Sequence, residues 1–236
     1  MTMRYPMRAM TVLALSISAQ MLAPAPLSAA EPSAEGASEG STRSLYMSLI
    51  RQARTDGRPR AAIAYLDDFD RQHPGDREAQ LLRVNCLLDL KQVDAARAAL
   101  GRIPASDRSG PAQAVRGHVL AAEGNWTQAA TVYAAALQAS PADALIANAL
   151  GYAQLRAGQS GQGVETLRGA RDLAPDDTVV RNNLILALTM TGRLGEADAM
   201  LSQVADAKEK ARLRQQVAGE AARLAAAGSG SMPRGS

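Results

Sequence analysis

The chain has 236 residues, of which 47% are apolar but only 3% aromatic, so its core must be built mainly from Ala, Leu and Val. Such a composition favours closely packed helices over a β-sheet. Its 26 basic and 23 acidic residues form no concentrated basic stripe, which excludes a typical nucleic-acid-binding protein, and its single cysteine excludes an intrachain disulfide.

Residues 1–30 have the layout of a secretory signal peptide. Arg4 and Arg8 supply a positive start, a mostly apolar run follows, and small residues precede a cleavage site that we place near Ala30. The apolar run is shorter than the roughly 20 residues that a membrane-spanning helix needs, although a retained leader is the alternative. No cysteine follows the run, so we expect a soluble periplasmic protein rather than a lipoprotein, with no integral membrane segment after processing.

The segments at the two ends of the mature chain differ from its middle. Residues 31–42 are polar and contain Gly and Ser, and they are predicted to form a flexible linker. Residues 228–236 are predicted to form a similar flexible tail. The folded part is therefore expected to span residues 43–227.

An internal repeat of about 34 residues runs through this middle part. One column of the repeat contains Gly57, Lys91, Gly124, Gly158 and Gly192. Five residues further on, a second column of small residues contains Ala62, Ala96, Ala129, Gly163 and Ala197, and a third column contains Leu66, Leu100, Tyr133, Leu167 and Leu201. Pro74, Pro141 and Pro175 each close a helical segment near the end of a repeat. Agreement of these columns over five repeats indicates one repeated structural unit.

Each column has a role that follows from its position in a helical hairpin. Glycine allows the left-handed backbone with which a first helix ends and turns. The small residue that follows lies where the two helices approach most closely, and the larger apolar residue fills the space between neighbouring hairpins. Proline ends the second helix.

These columns resemble the tetratricopeptide repeat (TPR), most clearly in Asn148-Ala-Leu-Gly-Tyr-Ala, Gly124-Asn-Trp-Thr-Gln-Ala-Ala and Ala136-Leu-Gln-Ala-Ser-Pro. The resemblance implies an all-α fold, an α-solenoid of about five TPR hairpins. We place the repeats at 43–76, 77–109, 110–143, 144–177 and 178–209. Residues 210–227 read as an amphipathic helix that caps the last repeat.

Residues suited to catalysis or to metal or cofactor binding are scarce. The two histidines, His73 and His118, have no metal-ligand partner at helical spacing, and Cys86 falls at a position expected to be buried. No phosphate-binding loop or pair of nucleophile and base is visible. We therefore predict a non-catalytic protein that has no cofactor, metal site or nucleic-acid partner.

The first helices of stacked TPR hairpins line a concave face, and the side chains expected to point into it are candidates for binding a protein. These candidates are Met47, Arg51, Arg54, Asn85, Asp89, His118, Asn148, Tyr152, Arg156, Asn182 and Thr189. An ordinary solvated helix face is the alternative interpretation of each one. Asn148, Tyr152 and Asn182 are expected to form neighbouring rungs.

The run from Asp177 to Ala197 is similar to the C-terminal repeat of TadD, the TPR component of bacterial tight-adherence (Flp) pilus assembly. That resemblance implies a periplasmic scaffold whose partners are a secretin or other pilus or secretion assembly components. Two alternatives stay open. One is a TPR adaptor for another envelope process, such as outer-membrane biogenesis or polysaccharide export, and the other is a self-associating scaffold.

Overall fold

The structure is a computed structural model that describes residues 34–230, and this part of the chain contains eleven helices and no strand. Ten of the helices form five consecutive hairpins, which are α1 (Ala34–Thr55) with α2 (Pro59–Gln72), α3 (Arg77–Asp89) with α4 (Val93–Leu100), α5 (Gly110–Ala122) with α6 (Trp126–Ala139), α7 (Ala144–Arg156) with α8 (Ser160–Leu173), and α9 (Thr178–Met190) with α10 (Leu194–Ser202). A long helix, α11 (Ala207–Gly230), follows the last hairpin. The predicted all-α solenoid of five hairpins with a C-terminal helix is confirmed.

Every hairpin turns at the residue of the glycine column. Gly57, Gly124, Gly158 and Gly192 have φ angles between 69° and 82°. Lys91 fills the same position in the second hairpin with φ 62°, the one positive φ among the non-glycine residues described. A bond from the backbone N–H of Arg193 to the carbonyl of Leu188, 2.8 Å long, closes the turn at Gly192.

The two helices of a hairpin pack closely because small residues separate them. Ala62, Ala96 and Ala129 are fully buried. In the fourth hairpin a Cβ on Gly163 would lie 3.0 Å from the carbonyl oxygen of Gly151. The glycine at position 163, where the other repeats have alanine, therefore leaves room for the close contact between α7 and α8.

Neighbouring hairpins are joined in two different ways. Arg97 and Glu123 form an ion pair of 2.7 Å between the second and third hairpins, and Arg168 and Glu196 form one of 2.5 Å between the fourth and fifth. Among residues 34–230 no ion pair links the third hairpin to the fourth. There, the rings of Trp126 and Tyr152 meet edge to face at 5.9 Å.

Helix α11 closes the C-terminal end of the stack. The side chain of Asp206 caps its start by accepting a hydrogen bond of 2.6 Å from the backbone N–H of Glu209. Leu213 and Val217 of α11 are buried in the same apolar cluster as Leu186 of α9 and Leu201 of α10. The amphipathic helix therefore covers apolar surface of the last repeat.

Both predicted flexible segments are partly helical. Helix α1 begins at Ala34, inside the predicted linker 31–42, and α11 continues to Gly230, inside the predicted tail 228–236. At the N-terminus, no proline lies between Ala34 and the packed residues of α1. A helix nucleated by those packed residues can therefore extend toward the N-terminus through the Ala- and Glu-containing sequence. The predicted signal peptide over 1–30 and residues 231–236 lie outside the described residues.

Candidate protein-binding groove

The first helices α1, α3, α5, α7 and α9 lie side by side, and they form what we call the first-helix face. Three of them begin at an aspartate that follows a proline turn. Asp76 accepts a bond from the N–H of Ala79, Asp143 from Leu145, and Asp177 from Val179, at 2.7–3.0 Å. These N-caps fix where each first helix starts and so align the residues along the face.

An open groove, here called the N-terminal groove, runs along the first-helix face from α1 to the start of α7. It encloses about 660 Å³. Its apolar lining residues are Leu81, Leu82, Ala114, Val115, Leu145 and Ile146. Leu145 is 69% exposed, which makes it the most exposed of the large apolar side chains described. A surface of this kind can bury apolar side chains of another protein.

The charged side chains at the rim of the N-terminal groove are bound to one another. Nε of Arg43 lies 2.8 Å from the Asp76 carboxylate, and Nε of Arg54 lies 2.6 Å from that of Asp89. Arg77 binds the buried carboxylate of Asp107. This hydrogen bond, followed by those from Ser109, holds the pKa of Asp107 well below its usual range, against the opposing effect of burial. Because these charges are already paired, the apolar lining is the surface left free to bind.

A histidine–asparagine pair lies in the wall of the groove. Nδ1 of His118 is 2.9 Å from Oδ1 of Asn85, and its imidazole ring packs 5.5 Å from the ring of Tyr133. Burial, followed by the positive charge of Arg54, lowers the pKa of His118 to about 4. The imidazole is therefore neutral at physiological pH, and Nδ1–H can donate to the Asn85 amide oxygen.

The C-terminal half of the first-helix face is covered by α11. A narrower cleft of about 340 Å³ remains between α11 and the helices α7 and α9. The hydroxyl of Tyr152 lies 3.4 Å from the carboxylate of Glu220 on α11. Beneath α11, the amide of Asn183 donates to Oδ1 of Asn148 over 2.9 Å. The protein's own amphipathic helix thus occupies the part of the face that Asn148, Tyr152 and Asn182 were predicted to offer to a partner.

The predicted binding residues fall into three groups. Arg54, Asn85 and His118 line the N-terminal groove, while Arg51 and Asp89 lie beside it and form ion pairs with Glu78 and Arg54. Tyr152 and Asn182 line the cleft under α11, and Asn148 bonds to a neighbouring residue of that cleft. Met47, Arg156 and Thr189 have other contacts.

The prediction for Met47 is wrong. Its side chain is 1% exposed and belongs to the apolar core of the first hairpin. Arg43 and Arg51, one turn before and one turn after it, both bind the carboxylate of Glu78. Met47 itself is part of the packing between α1, α2 and α3, with Ile50, Leu66 and Phe69 in the same cluster, and it is not available to a partner.

Arg156 and Thr189 are engaged within the protein. The guanidinium of Arg156 lies 4.2 Å from the centre of the Trp126 ring, a cation–π contact between the fourth and third hairpins. The hydroxyl of Thr189 donates to the carbonyl of Ile185 in its own helix over 2.8 Å. Each of these two side chains already has a structural partner.

Sequence reasoning missed the apolar lining of the groove. The predicted binding residues did not include Leu82, Val115, Leu145 or Ile146. The prediction was based mainly on polar side chains that can form hydrogen bonds with a peptide backbone. The signal that could have found Leu145 is its place two residues after the capping Asp143, where a first helix starts and no earlier turn covers it.

Residues 34–230 contain no group of three or more His, Cys, Asp or Glu side chains arranged to hold a metal ion. Among the same residues, no helix is both long enough and apolar enough to span a bilayer. Cys86 is buried, and burial raises the pKa of its thiol to about 11. The thiol is therefore protonated at neutral pH.

Comparison with known proteins supports the repeat assignment. One family model of the tetratricopeptide repeat matches residues 53–118, and a second matches residues 115–178. The two together cover more than half of the chain. No curated protein matches the sequence.

Several solved structures share the fold. The thermophilic TPR protein TTC0263 of Thermus thermophilus is 22% identical with a TM-score of 0.64, over 75% of this chain and 97% of that one. The pilF protein of Pseudomonas aeruginosa is 17% identical with a TM-score of 0.60, over 80% and 89%. YrrB, described as a TPR protein with an unusual peptide-binding site, is 14% identical with a TM-score of 0.51, over 79% and 100%.

At these identities the likeness to solved structures shows the fold alone. The repeat matches lie in the segment that forms α2–α8. Helices α9 and α10 form one more hairpin of the same kind, with its turn at Gly192. The chain belongs to the tetratricopeptide-repeat family.

Proposed function

We propose that this protein is a non-catalytic scaffold that binds an apolar, helical segment of a protein partner in the N-terminal groove. The observation that carries the proposal is the open apolar lining centred on Leu145, beside charged groups that are already paired. An amphipathic helix laid into an apolar groove is a recurring mode of protein recognition.

Helix α11 supports the choice of a helical ligand. It lies on the C-terminal half of the same face and buries Leu213 and Val217 against α9, while Ala221 and Leu224 are partly buried. These four residues follow a spacing of three to four, as an amphipathic helix requires. The N-terminal half of the face offers leucine side chains, Leu81 and Leu82 partly exposed and Leu145 largely exposed, and no described helix covers them.

The unusual peptide-binding site of YrrB is consistent with this role, since it places a peptide on a fold of the same kind. Affinity in the groove would come from apolar burial, at about 25 cal/mol per Å² of surface removed from water. The paired rim charges would exclude segments with an unpaired charge, because burying one is costly.

Photo-crosslinking tests the groove in the full-length protein. A benzophenone amino acid at position 111, on the groove wall, is expected to give a discrete adduct in the source bacterium. Leu145→Asp should abolish that adduct, whereas Leu194→Asp, at an exposed leucine on α10, should leave it unchanged. Adducts that are equal in both variants would contradict the proposal.

We further propose that the protein is exported and acts in Flp pilus or secretion-system assembly, with a secretin or another assembly component as partner. The support is the leader-like sequence over 1–30 and the resemblance of residues 177–197 to the pilus component. Mass spectrometry of the periplasmic fraction is expected to find a new N-terminus near Glu31. A deletion strain should lose Flp pili and surface adherence, and normal piliation in that strain would contradict the pilus role.

A further inference from the structure

The N-terminal end of the stack exposes apolar side chains at positions that face the preceding hairpin in later repeats. Leu45 lies twelve residues before its turn glycine, and the residues at that position in the following hairpins are Ala79, Ala112, Ile146 and Val180. All four of these are buried. Leu45 is 60% exposed, because no hairpin within residues 34–230 precedes the first one.

Leu49 repeats the pattern one turn later in α1. Its equivalents are Arg83, Arg116, Leu150 and Leu184. Arg83 binds Asp67 and Asp70 of α2, Arg116 donates to the carbonyl of Asp107 in the preceding loop, and the two leucines are buried. Leu49 is 41% exposed. Leu45 and Leu49 therefore belong to the surface on which hairpins stack.

Tyr65 of α2 faces the same end of the molecule. Its equivalent in the fifth hairpin is Met200, which shares a cavity with Arg168, Asp172 and other residues of the fourth hairpin. Tyr65 is exposed. Leu45, Leu49 and Tyr65 together form what we call the N-terminal stacking face.

The terminal repeat of a solenoid needs a polar outer surface if that end is to face water. The C-terminal end meets this need through α11, whose outer residues are mainly charged or polar. Among the described residues, no polar helix covers the N-terminal stacking face in this way. Its exposed leucines lie on a stripe of α1 that carries no charge (Thr42, Leu45, Leu49 and Gln52).

We propose that the N-terminal stacking face is covered by the same face of a second copy of this chain, in a two-fold symmetric dimer. Head-to-tail stacking is closed off, because α11 covers the other end. In a two-fold interface each residue meets a symmetry-related copy of its own surface, so an uncharged stripe avoids like-charge repulsion. The proposed dimer contact is independent of the N-terminal groove, because Arg43 and Arg54 point toward α3 from the side of α1 opposite to Leu45 and Leu49.

Light scattering of the full-length protein without its leader tests the dimer. The wild type is expected to have twice the mass of the monomer at concentrations of about 10–100 µM. Leu45→Glu/Leu49→Glu should give a monomer with unchanged helical circular dichroism, because both side chains are exposed. The matched control, Val179→Glu/Leu194→Glu, changes two residues that are also exposed and should remain dimeric.

A wild type that stays monomeric over this range would overturn the proposal, as would a dimer that survives the Leu45/Leu49 change. Disulfide trapping adds a measurement that identifies the face. With Cys86→Ser as background, Leu49→Cys should form a disulfide-linked dimer on mild oxidation and Leu194→Cys should not. Equal crosslinking at both positions would also overturn it.

Discussion

The hydroxyl of Tyr152 on α7 lies 3.4 Å from the carboxylate of Glu220 on α11, and the two residues are 68 positions apart in the chain. The contact shows that α11 extends past α9, on which it is packed, to reach α7. Helix α11 therefore divides the first-helix face into an open N-terminal groove and a covered C-terminal half.

We expect the apolar contacts of α11, rather than the Tyr152–Glu220 contact, to hold it in place. Leu213→Ala removes a buried side chain and should lower the free energy of unfolding by about 2–4 kcal/mol. Tyr152→Phe removes two hydrogen bonds of 3.4 Å, to Glu220 and from Arg156, at a half-buried site and should change the free energy of unfolding by less than about 1 kcal/mol. Urea unfolding of both variants gives the comparison, and equal losses would contradict this ranking.

The contact between Gly117 and Tyr133 predicts a large effect from one added methyl group. A Cβ at position 117 would lie 2.5 Å from Cε1 of the buried Tyr133 ring, so Gly117→Ala should lower the free energy of unfolding by about 1–3 kcal/mol. Gly169→Ala is the matched control, because it lies in α8 with no atom near its Cβ position and should raise stability by up to about 1 kcal/mol. Thermal denaturation that moves both variants in the same direction would contradict this account.

Replacing Lys91 with glycine should stabilise the folded protein. It is the turn residue with φ 62°, a backbone that costs a non-glycine residue about 1 kcal/mol. Lys91→Gly removes this strain but increases the freedom of the unfolded chain, so the expected net gain is about 0.5 kcal/mol. Gly124→Ala, which places a side chain at φ 82°, should be destabilising. The melting temperatures of the two variants should therefore shift in opposite directions.

His118 predicts a loss of stability in mild acid. Its pKa is lowered to about 4 in the folded protein, against an ordinary value of 6.5, so the unfolded chain takes up this proton first as the pH falls. Stability from the neutral, half-buried imidazole is complete above pH 6.5 and is lost progressively as the pH falls to 4. The maximum loss is about 3 kcal/mol.

The control for this prediction is His118→Gln, which cannot titrate. The difference in free energy of unfolding between the wild type and this variant should change between pH 7 and pH 4.5 in favour of the variant. Asp107 titrates below this window, because its pKa is depressed, so it does not mask the effect. A difference that is independent of pH would show that His118 is not buried in its neutral form.

The hairpins were predictable because their signals are local. A glycine or lysine turn, a small residue five positions later and a large apolar residue four positions after that recur in each repeat, and the helices follow them. The start of α1 at Ala34 was not predictable, because its first residues resemble a linker and their helical state depends on continuation from packed residues.

The candidate site was only partly predictable, because its shape depends on contacts between distant residues. Met47 occupies a column that faces the groove in later repeats, yet it is buried in the apolar cluster that includes Leu66, Phe69 and Ala79. The amphipathic pattern of α11 predicted a cap but not the helix on which it packs. Its position over Asn182 and Tyr152 is decided by Leu213 and Val217 fitting against α9.

The most direct test of the proposed groove is the amount of partner that the immobilised full-length protein retains from an envelope extract of the source bacterium. Wild type is compared with Leu145→Asp and with the matched control Leu194→Asp. The account predicts a specific protein that Leu145→Asp retains at least about tenfold less well, corresponding to about 1.4 kcal/mol, and that the control retains fully. Equal retention by all three proteins would place the binding surface outside the N-terminal groove.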